Sequence, residues 1–138
     1  MECAMDTGQA LDANGECAMN RTSVRIGAIF AALAVAIGAF GAHGLPESVT
    51  PERVATFETG ARYHMYAALA LIGLGAAGVR QRSAMIILAG AVIFSFSLYL
   101  LVLTDTGWLG AVTPIGGVLL IVGLALSAFD VTTSKTAA

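Results

Sequence analysis

The sequence predicts an all-α protein: a four-transmembrane-helix bundle with an interfacial extension at the start of its second helix. Three observations carry this. The chain has 138 residues, of which 57% are hydrophobic and 12% charged, whereas a soluble domain is nearer a quarter charged. Its apolar residues gather in four blocks, 26–42, 63–79, 84–104 and 108–129, free of charged residues and broken only by His64. None of the blocks has the polar face that a helix of a soluble bundle presents to water. A spanning helix needs ~20 mostly apolar residues, with ~17 at the short end.

Taken in order, residues 1–23 form a polar tail, expected to be disordered because nothing in it builds a core. Within it Glu2-Cys3-Ala4-Met5 recurs as Glu16-Cys17-Ala18-Met19, which reads as a short duplication or as an upstream extension with Met19 as the start. The segment lacks the pattern of a signal peptide, because Arg21 and Arg25 come late and no small-residue cleavage motif follows. Cys3 and Cys17 have no ligand spacing, so no zinc site is expected. The membrane domain is expected over 24–130, followed by a short polar tail over 131–138.

Helix one is placed at about 24–42. Gly27, Ala31, Ala34, Gly38 and Gly41 fall on one seam, and small residues let lipid-embedded helices approach closely. On this reading Gly38→Leu disrupts folding more than Leu33→Ala. Helix two is placed at 51–79: Thr50 suits the N-cap, Pro51 the first turn, and Glu52 the positive end of the helix dipole. Its first turns precede the apolar block and so form the interfacial extension. Helix three is placed at 84–104, with Ser83, Gly90 and Ser97 along one face, and helix four at 108–129, with Gly116, Gly123 and Ser127. Thr113-Pro114 predicts a kink or short turn early in helix four.

Arg21, Arg25, Arg80, Arg82 and Lys135 fall on one side of this topology, and Arg53 and Arg62 on the other. The positive-inside rule then puts both termini in the cytoplasm. With a net charge of −2 and dispersed basic residues, nucleic acid is excluded as a partner. The expected partners are the lipid bilayer and a membrane protein or further copies of the chain.

The candidate polar cluster is His43, Glu58, Arg62, His64 and Tyr66, with Asp105 at the same end. Ionisable groups in or beside hydrocarbon are costly and have partners or work to do. Glu58 and Arg62 stand four residues apart in the favoured order for a helical ion pair. An anchoring network is the first reading, and a relay for a small ion through Glu58, His64 and Ser95 or Ser97 is the alternative. No catalytic set, phosphate-binding loop, metal site or cofactor is expected. His43, His64 and Glu58 are suitable ligand types but are scattered. The protein is therefore read as a non-enzymatic structural or accessory subunit of a membrane assembly.

Four motifs occur in order: Gly38-Ala-Phe-Gly-Ala-His-Gly-Leu45, Glu58-Thr-Gly-Ala-Arg-Tyr-His-Met-Tyr66, Ser97-Leu-Tyr-Leu-Leu101 and Trp108-Leu-Gly-Ala-Val-Thr-Pro-Ile-Gly-Gly117. Together they resemble the YgdD-like family of small membrane proteins, a family of unknown function with a eukaryotic transmembrane branch. The likeness covers residues 24 to about 127. It implies a multi-pass inner-membrane protein and supplies no activity. The family often has His where this chain has Ala67 and Gly where it has Phe96, so chemistry needing a histidine at 67 is not implied here.

Overall fold

The computed structural model describes residues 19–45 and 47–136. Residues 1–18 lie outside it, and with them both cysteines and the repeat. Four α-helices run in order: α1 (Arg21–His43), α2 (Pro51–Ala76), α3 (Gln81–Thr104) and α4 (Thr113–Thr136), with a 3-10 turn, Gly107–Ala111, leading into α4. The expected break near Pro114 takes the form of that turn. Three segments are long and apolar enough to cross a membrane: Arg21–His43, Gln81–Thr104 and Gly107–Asp130. α2, carrying Glu52, Arg53, Glu58, Arg62 and His64, falls short by composition. Its 26 residues nevertheless reach ~39 Å, as far as its neighbours.

Local chemistry shifts the helix ends from where hydropathy puts them. α1 starts at Arg21 rather than 24 because Asn20 caps it, its side-chain oxygen accepting the Ser23 N–H at 3.1 Å. At the start of α2, the backbone N–H of Glu52 and the Thr50 hydroxyl hold the exposed Glu52 carboxyl below its usual range. α2 stops at Ala76 rather than 79 in a left-handed turn at Gly78 (φ 71°), where Val79 N–H reaches Leu74 O and Gly78 N–H reaches Gly75 O. α3 begins three residues early, at Gln81, where Gln81 and Ser83 find hydrogen-bond partners in Asn20, Ser23 and Asp130. It closes on Asp105, a non-glycine residue at φ 53°. α4 continues through most of the expected C-terminal tail.

The helices pack in chain order, α1 on α2, α2 on α3 and α3 on α4, so α2 and α3 lie inside and α1 and α4 outside. The main core joins Phe30, Ala67, Ala68, Leu71, Ile87 and Leu120, one or more from each helix. At the end holding both termini, backbones touch. A Cβ added at Gly27 would lie 2.9 Å from Ala68 O, and one at Gly75 would lie 3.0 Å from Val24 N. Towards the opposite end, where the α1–α2 and α3–α4 loops lie, aromatic rings separate the helices. Gly41 is a slot for the Phe57 ring and Gly60 a slot for that of Tyr99.

The seam on α1 is therefore Gly27, Ala34 and Gly41, interleaved with Ser23 and Phe30, all buried, while Ala31 is half-buried. Gly38 does not belong to it: a Cβ there meets nothing within 4 Å. The physical reason is the wedge of Phe57, Phe30 and His64 between the two helices, which opens space beside Gly38. The expectation for Gly38→Leu is corrected accordingly. Gly38→Ala should leave thermal stability unchanged or raise it by up to ~1 kcal/mol, the helix-propensity difference. Gly41→Ala, which displaces the Phe57 ring, should lower it. Equal melting of the two variants in detergent would contradict this.

Candidate functional site

The polar residues of the chain separate into three places along α2. At the loop end, Arg53 bridges α2 to the end of α3, pairing with Asp105 and donating from Nη1 to Leu101 O at 2.8 Å. This is the ion pair of that rim. Glu58 and Arg62, the expected pair, are both exposed and form no ion pair with each other. Asp105 reaches Arg53 because its left-handed backbone turns the chain back over α2.

The middle of α2 holds His64, 1% exposed. Its ring lies on that of Phe30 from α1, with centroids 3.8 Å apart and planes tilted by 45°. Its Nδ1 is 3.2 Å from the hydroxyl of Tyr99 on α3, itself buried. One side chain thus ties three helices. The contact joins the two side chains in either tautomer, with the Tyr99 hydroxyl donating to Nδ1 or accepting from it. Nε2 makes no hydrogen bond of good geometry, and neither does the buried Ser95 hydroxyl one turn from Tyr99.

The other candidates do not join His64. His43 is exposed at the end of α1, and Tyr66 is 55% exposed on the far side of α2. Ser97, the second proposed relay, bonds the Phe94 carbonyl and the Thr113 hydroxyl, both at 2.8 Å. Among the described residues no group of three His, Cys, Asp or Glu side chains is placed to hold a metal ion.

A third polar group, at the end holding the termini, was not anticipated. Asn20 donates to Gln81 Oε1 at 2.7 Å and to Val79 O at 3.3 Å, and its backbone N–H reaches Gly75 O at 2.8 Å. Ser23 adds a bond to Gln81 at 3.3 Å, and Ser83 bonds Asp130 of α4 at 2.6 Å. Asn20 is a favoured N-cap type but stands six residues ahead of the first apolar block, where hydropathy does not single it out. Asn20→Ala should cost ~1–2 kcal/mol, the loss of a cap that also carries two side-chain bonds across the turn. A melting temperature equal to the wild type's would refute that.

Two apolar grooves flank the row. One, of about 370 Å³, lies between α2 and α4 over α3, lined by Tyr66, Ala70, Phe94, Gly117, Leu120 and Leu124 among others. The second, of about 360 Å³, lies between α1 and α3 over α2, with Phe40, Phe57, Tyr99 and Leu103. Both follow from packing in chain order, which leaves alternate helices apart.

A family model described as "Protein of unknown function (DUF423)" matches residues 37–117, from late α1 to the start of α4. The chain belongs to the DUF423 family. It is 43% identical over 104 residues to the UPF0382 membrane protein YwdK of Bacillus subtilis, a match covering 70% of this chain and 85% of that protein. A UPF0382 membrane protein of Staphylococcus aureus is 43% identical over 103 residues, covering 71% and 84%. One of Staphylococcus epidermidis is 45% identical over the same length, with the same coverage. No solved structure matches. The DUF423 match takes in the His64–Tyr99 pair and the Arg53–Asp105 clasp and leaves out Asn20. The protein is thus a helical membrane protein of a family without an assigned activity.

Proposed function

We propose that this DUF423 protein is a non-enzymatic structural or accessory subunit of a membrane assembly. The packing in chain order carries the reading. Two outer helices expose apolar faces, with Ile121 and Phe129 each 69% exposed on α4, and two apolar grooves run between alternate helices. The titratable group at the centre, His64, is sealed by Phe30 and Tyr99 and is not on a polar path. Buried polar atoms here knit helices together, as expected of a scaffold whose value is its shape. Purification of the tagged protein from native membranes in mild detergent tests this. A stoichiometric protein partner or a defined oligomer supports it, and a lone monomer overturns it.

We infer further that α2 crosses the bilayer although its composition is marginal. It packs along both α1 and α3, and of the two polar residues at its middle, Arg62 and His64, the second is turned inward. Four crossings with the bias of Arg and Lys put both termini in the cytoplasm of a cell with an inner membrane. Cys3 and Cys17, the only cysteines, should then resist an impermeant maleimide on intact cells and react in inverted vesicles. The opposite pattern reverses the orientation. The likeness to the YgdD-like proteins and their eukaryotic branch is read as kinship within the same family.

A further inference from the structure

The groove between α2 and α4 has a polar approach of defined order. Residues four apart on a helix advance ~40° around it, so the ridge Glu58, Arg62, Tyr66, Ala70 winds obliquely into the groove. Tyr66 and Ala70 line it. Arg62 stands one turn outside Tyr66, and Glu58 one turn beyond Arg62. Both are exposed, neither is in an ion pair, and neither makes a side-chain hydrogen bond. From the groove outward the order is apolar channel, phenol, guanidinium, carboxylate.

A zwitterionic phospholipid has the same order: acyl chain, glycerol esters, phosphate, ammonium. We propose that this groove is a binding site for one such lipid, with an acyl chain over Phe94, Gly117 and Leu120. Arg62 holds the phosphate and Glu58 the ammonium. Charge complementarity selects this occupant over a second copy of the chain: Arg62, a cation in no ion pair, stands one turn from Tyr66 on the groove's lining, and Glu58 lies one turn farther out. Guanidinium–phosphate contacts are charge-assisted and bidentate, among the stronger hydrogen bonds proteins make. Glu58 alone would repel an anionic lipid, so the pair discriminates by headgroup rather than by chain. The proposal rests on α2 crossing the bilayer.

Native mass spectrometry of the full chain, titrated with phosphatidylethanolamine or phosphatidylglycerol of identical chains, tests it. The expected result is one tightly retained phosphatidylethanolamine, preferred over phosphatidylglycerol by about tenfold, the factor for ~1.4 kcal/mol. Arg62→Gln should weaken retention of both lipids. Glu58→Gln should abolish the preference alone. Gly117→Leu should expel the lipid by filling the groove: a Cβ there is 3.7 Å from the Phe94 ring, an ordinary contact, so folding is spared. Unchanged retention in Arg62→Gln and Gly117→Leu overturns the proposal, as does a dimer, with no lipid, that Gly117→Leu dissociates. Leu69→Cys, with Cys3 and Cys17 replaced by serine, separates the two readings. If impermeant reagents label it in membranes, α2 does not cross and the topology fails with the lipid site; if it is protected and no lipid is retained, only the lipid site fails.

Discussion

Gly116→Ala should destabilise the protein by ~1–3 kcal/mol or more, the range for forcing a methyl group into a filled core. The estimate follows from what a Cβ at 116 would meet. It would lie 2.7 Å from Phe94 Cα and 2.9 Å from Gly90 O, and closer still to Phe94 N. These are backbone atoms, so no rotamer change on α3 relieves the clash. The contact is reciprocal: a Cβ at Gly90 would lie 2.6 Å from Leu120 N and 3.0 Å from Gly116 O. Two turns on, Gly123 faces Ile87, with Ile87 N at 2.8 Å. α3 and α4 thus meet backbone to backbone over about two turns, 87–94 against 116–123. In lipid such contact is the main source of helix association, because apolar burial between helices gains little over burial in acyl chains. Alanine at 116 or 90 must push α4 away, loosening Leu120 from the core and lengthening the Ser83–Asp130 bond. Since both glycines serve one contact, the double variant should cost less than the sum. Thermal unfolding in detergent measures this, with Gly117→Ala, which points into the groove, as the control. If Gly116→Ala and Gly117→Ala melted together, the close approach would not exist in solution.

The four helices were legible because apolar blocks and helical crossings share one length scale. What hydropathy missed were helix ends set by single hydrogen bonds. Asn20, Gly78 and Asp105 each act through a cap or a positive φ, and none changes the average polarity of its segment. Of the small residues spaced along α1, Gly27, Ala34 and Gly41 are buried, whereas a Cβ at Gly38 meets nothing within 4 Å. The spacing says which residues share a face but not how far away the neighbouring helix is. Here the distance is decided by Phe57, whose ring lodges beside Gly41. The polar cluster failed in the same way. Glu58, Arg62, His64 and Tyr66 are adjacent in sequence, yet the helix sends His64 inward and the others out. The partner of His64, Tyr99, stands in an apolar run of α3, where no local pattern distinguishes a hydroxyl bonded to α2 from an interfacial tyrosine. Arg53 shows in the sequence only as a charge on one side of the topology, because its partner Asp105 is 52 positions away in the chain.

His64→Leu is the second large effect expected, and it decides what the central histidine is for. Leucine keeps apolar bulk against Phe30 but leaves the Tyr99 hydroxyl buried without its partner, at a cost of ~1–3 kcal/mol. Tyr99→Phe removes the hydroxyl instead and leaves Nδ1 unmatched. If the 3.2 Å contact is what these variants lose, combining them restores apolar complementarity. The double variant should then be more stable than the two single losses imply, with a coupling of ~0.6–1.7 kcal/mol, the span for hydrogen bonds between membrane helices. Additivity within ~0.3–0.5 kcal/mol would mean that the bond does not form. The cycle also bears on function. A scaffold needs only that three helices be tied, so the apolar pair at 64 and 99 should still assemble with whatever the wild type assembles with. A relay or a reaction centre needs the imidazole itself, and no compensating phenylalanine replaces it. Retained stability and assembly in the double variant would therefore place His64 with Arg53 and Asn20 among the residues that hold the row of helices in register.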